Sequence, residues 1–387
     1  MIQTNCRHFN GYKPCVFQKP ELDNCSEQCP KKDLIQSSIL IIHLGALGAV
    51  VRSTALLERI QSRWPESLIT WVTDKPADQL LANHPLIDRV LTTENSDLLK
   101  LSALKFDAAY VIDKSLQASG ILSRTEAKRV FGFVADPFLG VLLPASSAAQ
   151  ELWEIGLSDQ IKFFENKKSE IQLNCEALEL SFDLPTPDYN LPLLSTETRA
   201  ASARKKSWTL NPHQPVLGIN TGCSSVIAHK KLSVRFQREI VRELLTQGWE
   251  NIVLLGGRED GDRNQAIGFG LPVFQSAVDL GLRDGLTSVA ATDLVLSGDS
   301  LGMHMAISQK KFVVAWFGPT CAQEIELYGR GLTVQSQAPC APCWKRTCDK
   351  TDMCYDQVRL QDLISALAKG RQCWEQENKF SLSKPLF

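Results

Sequence analysis

Short apolar segments alternate along the chain with segments in which apolar residues recur every three or four positions. Short apolar runs are typical of buried strands, whereas the longer spacing is typical of helices. One series of such alternations begins at residue 38 and a second at residue 215. Because alternating strands and helices form βαβ units, the pattern predicts two successive α/β domains with largely parallel sheets.

The first series predicts five strands and two helices. The strands cover residues 38–44, 67–74, 89–93, 106–113 and 127–134, and the helices cover residues 47–64 and 76–84. Polar, less regular sequence follows to about residue 205. Within it, the three-proline segment 183–194 is typical of an extended link between domains.

The second series has the same character. Its predicted strands are residues 215–222, 251–257, 272–277, 294–296 and 312–317, and its helices are residues 238–248, 263–271, 285–293, 303–309 and 359–370. We therefore divide the chain into an N-terminal extension (1–35), a first domain with its link (36–205), a second domain (206–370) and a tail (371–387). Two α/β domains of similar size are expected to face a cleft, the usual place for a two-substrate site.

Residues 294–319 are the most informative stretch, because an apolar run there ends in a loop of small residues, 298–302. A helical pattern and a second apolar run follow, which predicts one βαβ unit whose loop lies at the ligand-binding edge of the sheet. Unpaired N–H groups in the first turn of the helix suit a phosphate or diphosphate, and Ser300 and His304 add donors. The alternative is an ordinary helix capped by Asp299 or Ser300.

Two further features at predicted strand ends could contact a nucleotide. Lys230 and Lys231 follow two polar turns, and lysines near a diphosphate neutralise charge on a leaving group. Glu259 lies just beyond a strand, where a carboxylate can accept hydrogen bonds from ribose hydroxyls. The alternatives are a solvated helix start for the lysines and an acidic first-turn residue for Glu259. The loop at residues 43–49 lacks the glycine spacing of a dinucleotide fingerprint.

Composition and charge argue against several classes of function, namely nucleic-acid binding, membrane spanning and export. The 387 residues carry a formal net charge of −1, which offers no broad electrostatic surface for nucleic acid or an anionic membrane. The longest apolar stretch, residues 39–51, is too short to span a bilayer. The first fifteen residues contain no apolar signal core. We expect a cytosolic protein without a nucleic-acid partner, with peripheral contact at the inner face of the cytoplasmic membrane left open.

Eight of the twelve cysteines form two groups of four. In a reducing cytosol, clustered thiols indicate metal binding rather than disulfides. The C-terminal group, C-x2-C-x4-C-x5-C, is compact enough to surround one zinc or iron ion or an iron–sulfur cluster; the N-terminal group is looser. We interpret both as structural metal sites, and free thiols or pairing between the groups are the alternatives. The groups are Cys340, Cys343, Cys348 and Cys354, and Cys6, Cys15, Cys25 and Cys29.

Together these segments resemble glycosyltransferase family 9, the ADP-heptose-dependent heptosyltransferases that build lipopolysaccharide core. The resemblance covers residues 38–367 and is most specific at D-S-x-G-M-H, which precedes an apolar strand ending in F-G-P-T. Other similar segments are residues 39–74, 127–134, 220–233 and 253–260, and cysteine segments 340–348 and 6–15 resemble ones found in some members. The resemblance implies a GT-B fold of two Rossmann-like domains. The first domain would bind mainly the acceptor, and the second would bind mainly the nucleotide sugar.

The resemblance also implies roles for individual residues. The donor diphosphate would be held by Asp299, Ser300, Leu301, Gly302 and His304, with Lys230 or Lys231 at the phosphates and Glu259 at the ribose. The acceptor would contact Gly45, Ala46 and Arg52. Arg52 could bind an anionic sugar or simply lie on a solvated face.

One departure from the family concerns the general base. Members usually carry Gly-Asp at the end of the first loop, and that aspartate is taken as the base that deprotonates the acceptor hydroxyl. This chain carries Ala49 there, and a methyl group cannot accept a proton. Asp113 and His43 are the nearest substitutes, with Asp74 behind them; a helix cap and a near-core histidine are their simpler interpretations. Otherwise the acceptor needs little help from a base, or the chain binds a nucleotide sugar without turnover.

The leading hypothesis is a metal-stabilised GT-B glycosyltransferase that transfers a heptose-like sugar from an ADP-sugar, with inversion and without a catalytic metal. The acceptor would be a lipopolysaccharide-type glycan, a lipid-linked glycan or a protein, because a related branch of the family glycosylates proteins and carries an iron-bound cysteine motif. The first rival hypothesis, favoured by Ala49, is a catalytically silent nucleotide-sugar-binding scaffold. The second is an iron–sulfur or redox protein on the same fold.

Overall fold

The computed structural model describes residues 2–17 and 25–382, which form two compact units. The first unit comprises Met1–Gly45, Ala55–Glu154 and Gln172–Pro187. The second comprises Ala46–Thr54, Ile155–Ile171 and Asp188–Phe387. The units are therefore not contiguous in sequence, because two short segments before residue 188 belong with the second unit.

A six-stranded sheet forms the first unit. Its strands are β1 (Ser37–Ile42), β2 (Ser67–Thr73), β3 (Arg89–Thr92), β5 (Ala108–Val111), β7 (Val130–Ala135) and β8 (Leu142–Pro144), while β4 (Lys105–Phe106) pairs with β6 (Glu126–Ala127). The strand order is β3-β2-β1-β5-β7-β8, and only β8 runs antiparallel to its neighbour. Residues 39–42 of β1 are buried, as expected for a parallel strand covered on both faces.

Seven helices lie in the part of the described chain that ends at residue 177. They are α1 (Leu47–Ser53), α2 (Leu57–Arg63), α3 (Asp78–Leu81), α4 (Asn95–Ser102), α5 (Leu116–Leu122), α6 (Gln150–Ile155) and α7 (Glu170–Ala177). The single helix predicted over residues 47–64 is thus divided, since a 3₁₀ turn at Thr54–Leu56 separates α1 from α2. The division matters because α1 belongs to the second unit and α2 to the first.

A second six-stranded sheet, entirely parallel, forms the second unit. Its strands are β9 (Leu217–Asn220), β10 (Ile252–Leu255), β11 (Phe274–Gln275), β12 (Leu294–Gly298), β13 (Phe312–Phe317) and β14 (Gly331–Gln335). The helices from residue 195 onward are α8 (Ser195–Trp208), α9 (Val234–Thr246), α10 (Gly261–Gly268), α11 (Leu282–Ala290), α12 (Leu301–Ser308) and α13 (Leu360–Leu382). The strand order, β11-β10-β9-β12-β13-β14, is that of a Rossmann-like sheet, as is the order of the first sheet apart from its short β4–β6 pair.

The predicted alternation of strands and helices agrees with the structure, but the region before residue 205 is more regular than expected. It contains α6, α7 and α8, and α8 buries only Ala201 and Trp208. Ion pairs, rather than an apolar stripe, attach α8 to the unit: Arg204 pairs with Asp284, and Lys205 with Asp293. A search for apolar periodicity cannot find such a helix.

Across the described residues, no helix combines the length and the apolar character needed to cross a membrane. The longest helix, α13, carries charged side chains along its length.

Candidate functional site

The candidate ligand site of the second unit lies where the strand order reverses, between β9 and β12. Open α/β sheets bind ligands at such a switch point, beyond the carboxyl ends of the strands. Asn220, the last residue of β9, donates from Nδ2 to Ser297 Oγ (3.2 Å) and Ser300 Oγ (3.0 Å). One amide group thus fixes the loop that connects β12 to α12.

The same loop explains the need for glycine at residue 302. A Cβ atom there would lie 2.5 Å from Cγ of Asn220, so only glycine permits this approach. Ser300 begins α12 but makes no side-chain capping hydrogen bond, because its hydroxyl is engaged by Asn220 and Ser297. Ser300 nevertheless occupies the N-cap position of α12, directly before Leu301, so the helix-cap alternative is compatible with this geometry. The first-turn N–H groups, which begin at Leu301, suit an anion at this position.

Asp299 pairs with Lys230, whose Nζ lies 3.0 Å from Oδ2. His304 Nε2 lies 3.7 Å from the other carboxylate oxygen. Burial alone would raise the pKa of Asp299, but the facing imidazole and the Lys230 charge hold it well below its usual range. Asp299 is therefore ionised at neutral pH and fixes the position of the lysine. Lys230, rather than Lys231, has the register that reaches the loop.

His304 is buried between Asp299 and Tyr189. Its Nδ1 lies 3.1 Å from the Tyr189 hydroxyl, and the two rings are stacked. Burial lowers the pKa of His304, despite the neighbouring carboxylate, so the imidazole is neutral at pH 7. Burial raises the pKa of Tyr189, so its hydroxyl keeps its proton and can donate to Nδ1. The imidazole proton then resides on Nε2, facing the Asp299 carboxylate.

A second group of buried charges surrounds Arg52, which is 8% exposed. Its guanidinium pairs with Glu170 at 2.5 Å. Burial lowers the Arg52 pKa, but Glu170 and the other acidic groups nearby together raise it. Arg52 therefore does not lie on a solvated face. Its Nε atom is buried and has no hydrogen-bond partner among the described residues. Glu170 is half-buried, whereas Glu324, a further carboxylate of this group, is buried and lies 3.6 Å from Lys162 Nζ.

Among the charged side chains around Arg52, Glu324 is the one that gains or loses a proton near neutral pH. Burial and the charge of Glu170 raise its pKa to about 7, against the opposing charges of Lys162 and Arg52. Protonation of one buried carboxyl at neutral pH therefore changes the charge of this group by one unit.

The remaining donor-side candidates lie after β10 and β9. Glu259 is exposed in the 3₁₀ turn Arg258–Asp260. Asp260, next to it, is buried, accepts a hydrogen bond from the Gly257 N–H (2.9 Å), and has a raised pKa, mainly because of burial. Lys231 contributes its charge near Asp260 rather than near Asp299. Lys230 therefore faces Asp299, whereas Lys231 lies near Asp260.

In the first unit, the strand order reverses between β1 and β5, and the sequence candidates follow these two strands. His43 Nε2 lies 3.8 Å from Asp113 Oδ1, and Asp113 accepts a hydrogen bond from the Leu44 N–H. Burial, with a further contribution from the Asp74 charge, raises the Asp113 pKa to about 6. The structure therefore brings together a buried imidazole and a carboxyl group that titrates close to neutrality.

The loop after β1 carries the two remaining acceptor candidates. Gly45 and Ala46 are exposed, and Ala46 precedes α1 in an extended conformation. Ala49 is part of α1, and its neighbour Gly48 lies against His304.

The C-terminal cysteines converge near the end of β13. Cys343 and Trp344 donate their backbone N–H groups to the Pro319 carbonyl, and Cys354 lies close to Gly318. Burial and then the charges of the other three thiols, Cys343, Cys340 and Cys348, raise the Cys354 pKa to about 11, which shows that the four lie near one another. The twelve cysteines are all free. Over residues 2–17 and 25–382, no three His, Cys, Asp or Glu side chains are grouped closely enough to hold a metal ion.

Sequence reasoning missed several residues of this site. Asn220 is the polar end of an apolar strand, a signal that was available. Tyr189, Glu170 and Glu324 lie in segments without a local pattern, and only the folded chain brings them to Arg52 and His304.

Two Rossmann-like sheets with polar groups at both switch points are the architecture of the GT-B fold. A sequence model of glycosyltransferase family 9 (heptosyltransferase) matches residues 99–353, and the chain belongs to this family. It is therefore a glycosyltransferase of the heptosyltransferase type, which confirms the predicted fold class and enzyme class.

Individual relatives agree with this assignment. Lipopolysaccharide heptosyltransferase 2 of Escherichia coli K12 is 22% identical over 305 residues, which cover 73% of this chain and 83% of that protein. The structure of a family 9 glycosyl transferase from Veillonella parvula is similar with a TM-score of 0.62 at 16% identity, covering 88% of this chain and 98% of that one.

A second similar structure has a bound ADP-sugar. It is the dodecameric iron-containing heptosyltransferase TibC of enterotoxigenic E. coli, in complex with ADP-D-β-D-heptose. Its TM-score is 0.53 at 13% identity, and the match covers 87% of this chain and 77% of that one. At such identities the likeness shows the fold.

Proposed function

We propose that this enzyme transfers a heptose, or a closely related sugar, from an ADP-sugar to a glycan or protein acceptor with inversion at the anomeric carbon. The observation that carries the proposal is the Asp299–Lys230 pair beside the uncapped first turn of α12. A lysine and a set of unpaired N–H groups at a switch point suit a diphosphate that becomes a leaving group.

The charges of the site assign separate tasks to its residues. A carboxylate repels a diphosphate, so Asp299 acts through Lys230 and His304 rather than by direct contact. Lys230 and the N–H groups of Leu301 and Gly302 would then take the negative charge that develops as the C1–O bond breaks. Glu259, exposed beyond β10, would accept hydrogen bonds from the ribose hydroxyls.

The choice of donor rests on relatives. The curated relative acts in lipopolysaccharide synthesis as a heptosyltransferase, and the TibC structure contains ADP-D-β-D-heptose. We extend ADP-heptose to this chain as the donor to test first. A lipopolysaccharide-type acceptor would bring the enzyme to the inner face of the cytoplasmic membrane, whereas a protein acceptor would not require the membrane.

Asp113 is the proposed general base in place of the family aspartate. A base works best when its pKa lies near the operating pH, and the Asp113 pKa of about 6 meets this condition. His43 is the partner that faces it. In the reaction, Asp113 takes the proton of the acceptor hydroxyl, the acceptor oxygen bonds to C1, and the bond from C1 to the diphosphate breaks. Gly45, Ala46 and the buried Arg52 are the proposed acceptor contacts.

The C-terminal cysteines are proposed to hold a structural zinc or iron ion. Four thiols near one another at the end of β13 form a donor set that suits either metal. TibC is iron-containing, which supports iron as the first candidate. The cluster adjoins Trp344, whose ring lies 4.1 Å from Lys162 Nζ, and Lys162 in turn faces Glu324. A metal there would fix the loop next to the group around Arg52.

Release of ADP from ADP-heptose, measured with and without candidate acceptors, tests the proposal. An active transferase releases ADP in proportion to acceptor, and Lys230→Met should abolish most of that release. Tight ADP-heptose binding without ADP release for any acceptor would instead identify a silent scaffold. A coloured protein that undergoes reversible reduction but binds no nucleotide would support the redox alternative.

A further inference from the structure

The N-terminal extension brings four widely spaced cysteines to one small cavity. Cys6, Cys15, Cys25 and Cys29 all line its wall, although residues 18–24 lie outside the described part of the chain. Their loose spacing in the sequence, C-x8-C-x9-C-x3-C, is a weaker indication of a shared site than this convergence. Neither the family match, which begins at residue 99, nor the proposed transfer reaction accounts for it.

The described extension has almost no apolar core to hold its loops. Cys6 is buried, whereas Ile2, Tyr12, Val16 and Phe17 are 58%, 79%, 86% and 40% exposed. Segments this short do not order themselves without a core, a disulfide or a metal. The four cysteines form no disulfide, and a metal bound by them would supply the missing constraint.

We propose that this cavity binds one zinc ion through the four thiolates of Cys6, Cys15, Cys25 and Cys29. Binding releases four protons and forms four Zn–S bonds, so no redox partner is needed. The complex carries a net charge of −2. His8 also lines the cavity but packs edge-on against the Phe17 ring at 4.7 Å, so it is placed outside the ligand set.

The surroundings of the cavity suit a negatively charged metal–thiolate centre. Lys31 and Lys32 both line it, and two ammonium groups match the charge of the complex. The backbone N–H of Asp33 donates to Cys6 Sγ at 3.5 Å, an interaction that stabilises a thiolate more than a thiol. Tight turns at Ser26–Cys29 and Cys29–Lys32 present the fourth sulfur on a short, hydrogen-bonded segment.

The four cysteines line the cavity, but their sulfur atoms are too far apart to bind one ion as they stand. Among the described residues, no three His, Cys, Asp or Glu side chains are close enough together to do so. Zinc would therefore draw the loops inward, and its binding free energy would offset the cost of ordering them. The ordered extension would be fixed on the first sheet, because Cys6 forms a β-bridge with Leu34 and Arg7 bonds to Asp88 and the Ser67 carbonyl.

Metal analysis of the purified full-length chain tests the proposal independently of nucleotide or sugar transfer. The double variant C25S/C29S should contain about one zinc per chain less than the unaltered protein. The variant C373S, which removes an isolated thiol of α13, should keep the full metal content. Because the comparison is a difference between variants, metal at the C-terminal cysteines does not affect it. Equal zinc in C25S/C29S and the unaltered protein would overturn the proposal.

Alkylation of the unaltered chain gives a second test that does not depend on the folding of a variant. Peptide mass spectrometry should show Cys6, Cys15, Cys25 and Cys29 protected from iodoacetamide until a zinc chelator is added. Cys223, a half-buried thiol outside both groups, should react at the same rate with and without chelator. Labelling of the four N-terminal thiols at a rate that the chelator leaves unchanged would overturn the zinc site. Iron in place of zinc on the same protected thiols would overturn the choice of metal.

Discussion

Gly48 lies directly against the imidazole of His304: a Cβ atom at residue 48 would be 2.4 Å from His304 Cδ2. This contact joins the start of α1 to α12, the helix whose first turn is the proposed diphosphate site. Ala49 is the next residue of α1 after Gly48. The position at which family members usually carry the aspartate is therefore adjacent in sequence to the residue that contacts His304, and here it holds alanine. The residues of the proposed donor side are thus present, whereas α1 carries no carboxylate at residue 49.

The Gly48–His304 contact predicts a specific effect of Gly48→Ala. Alanine usually stabilises a helix relative to glycine, but here the added methyl group must displace a buried ring, at a cost of about 1–3 kcal/mol. The variant should unfold at a lower temperature and bind ADP more weakly, because His304 moves relative to Asp299. Gly45→Ala is the matched control, since a Cβ atom at residue 45 meets no atom within 4 Å. Equal effects of the two substitutions would contradict the assigned contact.

Lys230 should contribute to nucleotide affinity far more than its neighbour. Lys230→Met removes the positive charge held by Asp299, and ADP affinity should fall roughly 10- to 100-fold, as for loss of a charged hydrogen bond. Lys231→Met, next along the chain, should change it by less than about threefold. Calorimetry on both variants measures the difference. Asp299→Asn should also weaken ADP binding, because the lysine loses its partner; tighter binding would show that Asp299 mainly repels the nucleotide.

Asp113 predicts the pH dependence of transfer. The carboxylate accepts a proton only when ionised, so kcat/KM should rise with pH through about 6 and then level off. Asp113→Asn keeps an oxygen to accept the Leu44 N–H but cannot act as a base. It should lower kcat by roughly 10²- to 10⁴-fold and remove this rise. The test is to measure kcat/KM as a function of pH for the unaltered protein and for Asp113→Asn.

The stability of Asp113→Asn separates a base from a structural residue. The folded pKa of Asp113 is raised from 3.8 to about 6, so the folded state binds the proton more tightly and loses stability as pH rises between these values. The asparagine variant should therefore match the unaltered protein in stability below about pH 3.8, and it should become progressively more stable than the unaltered protein between that pH and about 6, with the full difference at pH 8. A variant that loses both activity and stability at pH 8 would point to a structural role.

Glu324 predicts a second effect of pH on stability. Its folded pKa of about 7 lies above the usual 4.5, so folding loses stability as pH rises from about 4.5 through 7. Glu324→Gln should flatten this dependence and raise the unfolding temperature at pH 8. Glu58→Gln, at an exposed position, is the control. Thermal unfolding curves at pH 5 and pH 8 measure this dependence. If Glu324→Gln loses as much stability between these two pH values as the unaltered protein does, Glu324 is not the group that titrates.

The sequence predicts the elements and loops of this protein better than the contacts between distant segments. The β12–α12 unit could be predicted because its apolar runs, small loop residues and helix all lie within 294–319. The pairing of His43 with Asp113 could be anticipated because both follow apolar strands. Tyr189 gave no signal, since it lies in a proline-rich link and reaches His304 only after folding.

Helix α8 and the burial of Arg52, a residue that the sequence did single out, were not predicted for a related reason. Both depend on ion pairs between residues far apart in sequence: Arg204 with Asp284, and Arg52 with Glu170. A hydrophobic pattern records burial of apolar side chains but not the partner that makes a buried charge acceptable.

The most direct test of the central claim is a crystal structure of the full-length chain with ADP. The account predicts the diphosphate against the backbone N–H groups of Leu301 and Gly302, with Lys230 Nζ within hydrogen-bond distance of a phosphate oxygen and Asp299 still paired with that lysine. Nucleotide bound elsewhere, or a diphosphate at α12 that leaves Lys230 without a phosphate contact, would contradict it.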